Sequence, residues 1–166
     1  MAVTIRALTA GEAELLRTVR LRALAESPDA FAGTLAEATA LPGHEWTRRA
    51  AAASRGKTET IVIAINEEGE PIGMAGGRVR DEPGVISLFG MWVDPVARGE
   101  RLGAQLVEAV VGWAAARGAH TLRLGVMSDV IGSVRFYERL GFARAGEERP
   151  LTRDPARSWF EMLRSL

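Results

Sequence analysis

VISLFGMWVDPVARGERLGAQLVEAVVGWAAARG, residues 85–118, is the stretch from which the fold is read. Its first part, Val85 to Val93, is an apolar run rich in β-branched and aromatic residues and ended by Asp94-Pro95, as expected of a buried strand. Beyond it, Leu102, Leu106, Val110, Trp113 and Ala114 recur at helical spacing until Gly118, which fits a C-terminal cap. A strand therefore feeds a helix through RGERLGA: Arg98, Gly99, Glu100, Arg101, Leu102, Gly103 and Ala104. The first turn of a helix has N–H groups without internal partners and carries partial positive charge. Gly99 and Gly103 keep the backbone open to close approach, and Arg98 and Arg101 add full charges. The junction is a seat suited to phosphate, and to a pyrophosphate in particular. Taken alone, the segment reads equally well as an ordinary loop with solvated arginines.

The flanking sequence builds a mixed sheet around this unit. Residues 60–66 and 71–80 read as strands joined by a tight turn, and residues 81–84 turn the chain into the central strand, giving a meander of three antiparallel strands. After the long helix, Thr121–Met127 is a strand that should run parallel to the central one through a right-handed crossover. Residues 130–140 form a short helix stopped by Gly141, and residues 142–147 and 158–163 are the last strands. At the N-terminus, residues 3–8 alternate as a strand. Thr9 and Glu12 resemble a capping box opening a helix over residues 10–25, which Ser27-Pro28-Asp29 breaks. Residues 30–42 show no clean period, and a second helix covers residues 44–54. The order βααβββαβαββ defines an α+β (mixed α/β) architecture with helices on both faces. Phe89 should share a sheet face with Met91, only one of Trp159 and Phe160 can be core, and Trp113 belongs to the inner stripe of the long helix.

Composition narrows the function. At 166 residues, 47% hydrophobic and 25% charged, the chain forms one domain. The net charge is zero with scattered basic residues, which gives nucleic acid and anionic membranes no electrostatic footprint. There is no cysteine, hence no disulfide, thiolate metal site or cysteine nucleophile, and the only histidines are His44 and His120. No metal centre is expected. The opening residues lack a leader pattern and no apolar run reaches membrane-spanning length, so a cytoplasmic protein is expected.

The segment SVRFYERLGF, residues 133–142, sets Tyr137 one turn before a helix stops. Together with RGERLGA, in this order and at this separation, it resembles the GNAT superfamily of acetyl-CoA-dependent N-acyltransferases. The resemblance covers the element order of essentially the whole chain, and is specific over residues 91–104 and 133–142. It implies the GNAT fold, a mostly antiparallel sheet of about seven strands that splays between the fourth and fifth, in one domain spanning residues 1–166. Within it, helices over about residues 10–55 would face the acceptor, and about residues 58–147 would form the acetyl-CoA-binding core.

The resemblance also implies site roles. Residues 98–104 correspond to the pyrophosphate loop, Arg/Gln-x-x-Gly-x-Gly/Ala. Arg98 and Gly103 match, while Arg101 stands where the first glycine is usual, a substitution compatible with a helical φ. Met91, Trp92 and Val93 would pair with the pantetheine arm, Val130 and Ser133 would lie beside the coenzyme, and Tyr137 would protonate the departing thiolate. A tyrosine packed on Phe142 with its hydroxyl in water is the plain alternative.

Two family features are missing. The usual asparagine is replaced by Val130, with Asp129 as a substitute only through a slip of register, and the position of a base used by N-terminal acetyltransferases is Gly125. Glu26, Asp29 and Glu37 remain as candidate bases. Phe31, Trp46, His44 and Phe89, together with Glu26, are candidate acceptor contacts. The implied activity is direct acetyl transfer from acetyl-CoA to a primary amine of a small molecule or peptide; a homodimer is compatible with it. A non-catalytic acyl-CoA sensor is the alternative.

Overall fold

The strand that anchors the sequence reading lies in the middle of a seven-stranded sheet with order β1-β2-β3-β4-β5-β7-β6. A computed structural model describes residues 2–99 and 101–166; Met1 and Glu100, the latter assigned above to the anion seat, lie outside the described residues. The strands are β1 (Thr4–Ala7), β2 (Glu59–Ile65), β3 (Pro71–Val79), β4 (Val85–Val93), β5 (Thr121–Met127), β6 (Ala143–Leu151) and β7 (Asp154–Ser165). All neighbours are antiparallel except β4 and β5. The parallel pair is short: Val85, Ile86 and Ser87 face Thr121, Leu122 and Arg123, and the ladder ends there. The expected splay is present, and the second half of β4 has no strand beside it on the β5 side.

The helices are α1 (Ala13–Glu26), α2 (Leu35–Ala40), α3 (Gly43–Arg55), α4 (Leu102–Ala115) and α5 (Ile131–Arg139). They cover both faces and divide the core in two. On one side α4 lays Leu106, Val107, Val110 and Ala114 against Val62, Ala64, Ile86 and Leu88, together with Tyr137 and Phe142. On the other, Leu16, Val19, Ala23 and Leu24 of α1 and Trp46 and Ala50 of α3 pack on Ile61, Ile63, Met74 and Trp92. The glycines inside β3 let α4 sit close to the sheet: a Cβ on Gly77 would lie 2.8 Å from Val110 Cγ1, and one on Gly73 2.9 Å from Leu106 Cδ1.

Four expectations need correction. Helix α1 starts at Ala13, not residue 10, because Glu12 accepts from the Thr9 amide at 2.9 Å but is also gripped by Arg6 at 2.9 Å, so the two belong to the turn before the helix. Residues 30–42 contain α2, opened by a complete capping box between Thr34 and Glu37. The last two strands are longer than their apolar cores because they pair with each other as a hairpin. Phe89 and Met91 lie on opposite faces: Phe89 packs with the α1–α3 core and Met91 with the α4–α5 core. The cause is a bulge, where β4 gains a residue between the pairs Gly76–Phe89 and Met74–Trp92 and Gly90 turns to φ 63°.

Candidate active site

A cleft of about 810 Å³ opens where β4 parts from β5. Its walls bring together Met91, Trp92 and Val93 from β4, Arg98, Gly99, Arg101, Leu102, Gly103 and Ala104 from the following loop and helix, and Val130, Ser133 and Tyr137 from α5. Glu26 and Phe31 close its far side. Two segments remote in sequence from RGERLGA thus meet it in space.

The loop is set by three side chains, Asp94, Arg22 and Arg98. Asp94, buried beneath it, caps the turn by accepting from the Val96 amide at 3.1 Å and is held by Arg22. Arg22 also donates to the Pro71 carbonyl at 2.9 Å, tying α1 to β3. Arg98 folds back, donating from Nε to the Val93 carbonyl at 2.9 Å and from Nη2 to Glu26 at 2.7 Å. The first amide of α4 bonded within the helix is Gln105, to the Arg101 carbonyl at 3.1 Å. The amides of Leu102, Gly103 and Ala104 precede it and have no intrahelical acceptor. Their residues line the cleft.

Arg101 does not take the helical φ expected for it. It is left-handed, with φ 65° and ψ 4°, the one non-glycine with positive φ among the described residues. The chain demands at this position the conformation that a glycine adopts freely, and the surroundings impose it on an arginine. Gly103 is needed for space: an added Cβ would come 3.1 Å from the Phe136 ring and 3.2 Å from Met91 Cε.

Tyr137 sits on the inner face of α5, 9% exposed, with edge-to-face contacts to Phe136 and Phe142 at 5.1 and 5.7 Å between ring centroids. Among the described residues its hydroxyl makes no hydrogen bond. Burial pushes its pKa above the usual tyrosine value, so the phenol is protonated at neutral pH. Val130 is the N-cap of α5 and offers no side-chain cap. Asp129 does not line the cleft, and Arg157 donates to its carboxylate through two bonds of 2.7 and 2.8 Å.

Of the three candidate bases, Glu26 and Asp29 line the cleft and Glu37 does not. Glu37 caps α2, and Asp29 is exposed next to Arg157. Glu26 accepts from Trp92 Nε1 at 2.9 Å, from Arg98 and from Ser27. Burial alone would raise its pKa, but these three donors outweigh that and lower it, which makes it a stabilised anion rather than a ready base. At Gly125 the Trp159 ring takes the room: a Cβ there would lie 3.2 Å from it.

Trp46 and Phe89 are not in this cleft. They line a second cavity of about 510 Å³ on the α1–α3 side, with Arg20, Arg49 and Arg78. His44 is exposed and lines neither space. Arg20 was missed in the sequence reading although its spacing marks it: it falls four residues from both Leu16 and Leu24, an arginine in an otherwise apolar stripe. The arginines of the last hairpin were missed too. Arg153 donates to the carbonyls of Phe31 and Ala32 at 3.1 and 2.9 Å, and Arg157 to that of Asp29 at 2.7 Å, fixing the loop that carries Phe31. Among the described residues, no group of three or more His, Asp or Glu is placed to hold a metal, and no helix is long and apolar enough to cross a membrane.

A sheet splayed beside a helix N-terminus is an architecture that comparison with known proteins assigns to a family. The profile of the acetyltransferase (GNAT) family matches residues 25–142, and the chain belongs to that family. A mycothiol acetyltransferase from Paenarthrobacter aurescens is 27% identical over 147 residues, covering 86% of this chain and 43% of the relative. The chain thus spans less than half the length of that curated relative. Among solved structures, an acetyltransferase of the GNAT family from Streptococcus pneumoniae superposes with a TM-score of 0.83 at 19% identity, over 99% of this chain and 100% of the other. An acetyltransferase from Salmonella typhimurium, solved with its cofactor acetyl-CoA, does so with a TM-score of 0.78 at 18% identity, over 100% and 95%. At these identities the structures establish the fold.

Proposed function

We propose that the protein transfers an acetyl group from acetyl-CoA to a primary amine by direct attack in a ternary complex. The observation that carries this reading is the convergence on one cleft of the unladdered half of β4, the amides of Leu102, Gly103 and Ala104, which have no hydrogen-bond acceptor among the described residues, and the phenol of Tyr137. The residues fit the coenzyme. Three helix-N-terminal amides with Gly99 and Arg101 suit a diphosphate, and the free edge of Met91 to Val93 suits the amide-bearing pantetheine arm. When bound, acetyl-CoA supplies an activated thioester.

The chain's own part is to orient and to move protons. Cleft walls that hold amine and thioester in line contribute most of the rate enhancement. Tyr137, protonated at neutral pH and lining the cleft, is the proton donor to the leaving sulfur. The amine loses its proton to solvent, since Glu26 is stabilised as an anion by Trp92, Arg98 and Ser27. The Trp159 ring over Gly125 and the absent asparagine at Val130 favour a second reading, a domain that binds acyl-CoA without turnover.

Thiol release from acetyl-CoA over a panel of amines decides between them, with Tyr137→Phe as control. Transfer that the variant loses while calorimetry gives an unchanged affinity for acetyl-CoA supports catalysis. Tight acetyl-CoA binding with no amine acetylated establishes the sensor, and no binding at all sinks both.

A further inference from the structure

The second cavity carries more positive charge than its own carboxylates neutralise. Arg20, Arg48, Arg49 and Arg78 line it with Glu59. Arg78 pairs with Glu59 at 2.9 Å, while Arg48 and Arg49 share Glu45 at 2.7 and 3.1 Å. Arg20 has no ion-pair partner among the described residues. Its guanidinium lies 4.7 Å over the Phe31 ring, which offsets part of the cost of burial, but its Nη1 is buried without a hydrogen-bond acceptor. Trp46, at 1% exposure, has a buried Nε1–H in the same condition. Few native donors are left in this state, because each forgoes its hydration without return. Here two such donors belong to residues of a single cavity. Burial, and then the charge of Arg49, lower the pKa of Arg20 from its usual value, a penalty that an anion between them would relieve.

We propose that this cavity holds an oxyanion, a carboxylate or phosphate carried by the acceptor itself, with Arg20 and Arg49 as its cations and Trp46 as a hydrogen-bond donor. That the anion arrives on an amine rests on the acetyltransferase reading; the anion site rests on the cavity alone. Position supports the link. Phe89 and Gly90 of the bulge line this cavity, and the next residues of the same strand, Met91, Trp92 and Val93, line the acetyl-CoA cleft. Phe31 joins the two spaces: it lines the acetyl-CoA cleft, and its ring lies 4.7 Å from the Arg20 guanidinium of the second cavity, so an acceptor anchored by its anion at Arg20 lies beside that cleft. A planar guanidinium and an indole N–H discriminate for oxyanions through charge-assisted hydrogen bonds. An acceptor without an anion would leave both donors unpaired.

The test compares ω-amino carboxylates of graded length and O-phosphoethanolamine with alkylamines of matched length, by thiol release and by calorimetry on protein saturated with coenzyme A. The expected result is a preference of roughly tenfold or more in kcat/KM for one anionic series, expressed mainly in KM. Whether carboxylate or phosphate leads identifies the group. Arg20→Gln should bring the anionic-to-neutral ratio close to one while leaving acetyl-CoA affinity unchanged, and Arg20→Lys should restore only part of it. If Arg20→Gln does not fold, Arg49→Gln with the wild-type comparison serves. Neutral amines that react as well as anionic ones overturn the proposal and leave the transferase intact. Arg20-dependent binding of an anionic amine without thiol release does the reverse. Failure of the coenzyme-loaded protein to bind any anionic amine also overturns the proposal.

Discussion

Arg101 holds a left-handed backbone conformation that an L side chain resists, at the turn that delivers α4 to the cleft. Steric crowding there costs about 1–2 kcal/mol, and glycine would remove it while giving back about 0.5–1 kcal/mol in unfolded-state entropy. Arg101→Gly is therefore expected to stabilise the fold by about 0.5–1 kcal/mol, a rise of about 1–4 °C in thermal denaturation; a fall in melting temperature would show that the arginine side chain makes up for its backbone. The sequence marked this residue as a departure from the family pattern but could not give its φ, which the flanking turn and helix impose. Tyr137 makes the opposite case, a residue that the sequence singled out and whose environment it could not give. Its ring packs on Phe136 and Phe142, and its hydroxyl has no protein partner among the described residues. Tyr137→Phe should thus change stability by less than about 0.5 kcal/mol and lower kcat by about 10²–10⁴-fold. Because burial raises the phenol's pKa, catalysis should not decline through the ordinary tyrosine range near about 10. The unfolded chain does ionise there, so this residue's contribution to stability is full below that range and drains as pH rises, and the variant should lack that alkaline loss.

Among the elements, strands read better than helices, and the reasons are local. β4 and β5 have the bounds expected of them, since apolar runs closed by Asp-Pro or by Ser-Asp leave little freedom. Helix α2 was missed because six residues are too few to show a period, although Thr34 and Glu37 spell its capping box. At α1 the same spelling misled, since Arg6 competes for Glu12. That competition is measurable. The hydrogen bond from Arg6 comes first among the groups that hold the Glu12 carboxyl down to about 2. A depressed carboxyl contributes stability that is complete above the unfolded value of about 4.3 and is lost as pH falls toward the folded one. Glu12→Gln should flatten acid denaturation in that window, and an unchanged acid limb would mean that the Arg6 contact adds nothing. The bulge in β4 escaped the sequence because Gly90 fits an unbroken strand as well. It carries Phe89 across to β3, where a Cβ on Gly76 would lie 2.4 Å from the ring. Gly76→Ala should cost about 1–3 kcal/mol by overpacking and displace the ring from the second cavity. A neutral substitution, seen in denaturant titration, would mean that Phe89 moves freely.

At the scale of the whole molecule, the sheet works as a wedge held open between two cores. The α4–α5 core closes one face and the α1–α3 core the other, and the β4–β5 ladder is the one parallel junction, only three residue pairs long. This much of the plan was legible, because a strand–helix–strand unit has few ways to close. The second cavity was legible only in part: Trp46 and Phe89 stood out in the sequence, but Arg20 and Arg49, which come from α1 and α3, are brought to them only by packing. A ligand lying in the wedge would pair with the edge of β4 that has no ladder partner beyond Ser87. Acetyl-CoA should then slow the exchange of amides that open locally at Leu102, Gly103 and Ala104 and at Met91 to Val93. The locally exchanging amides of β1 and of the β6–β7 hairpin, at the two ends of the sheet, should keep their rates. At a concentration 100 times Kd the same binding adds about 2.7 kcal/mol, or about 5–11 °C for a chain of this length. Hydrogen exchange with thermal denaturation on one sample checks both. A melting shift with protection confined to the hairpin would move the coenzyme out of the wedge, because only groups that lack partners in the free protein can gain them from the ligand.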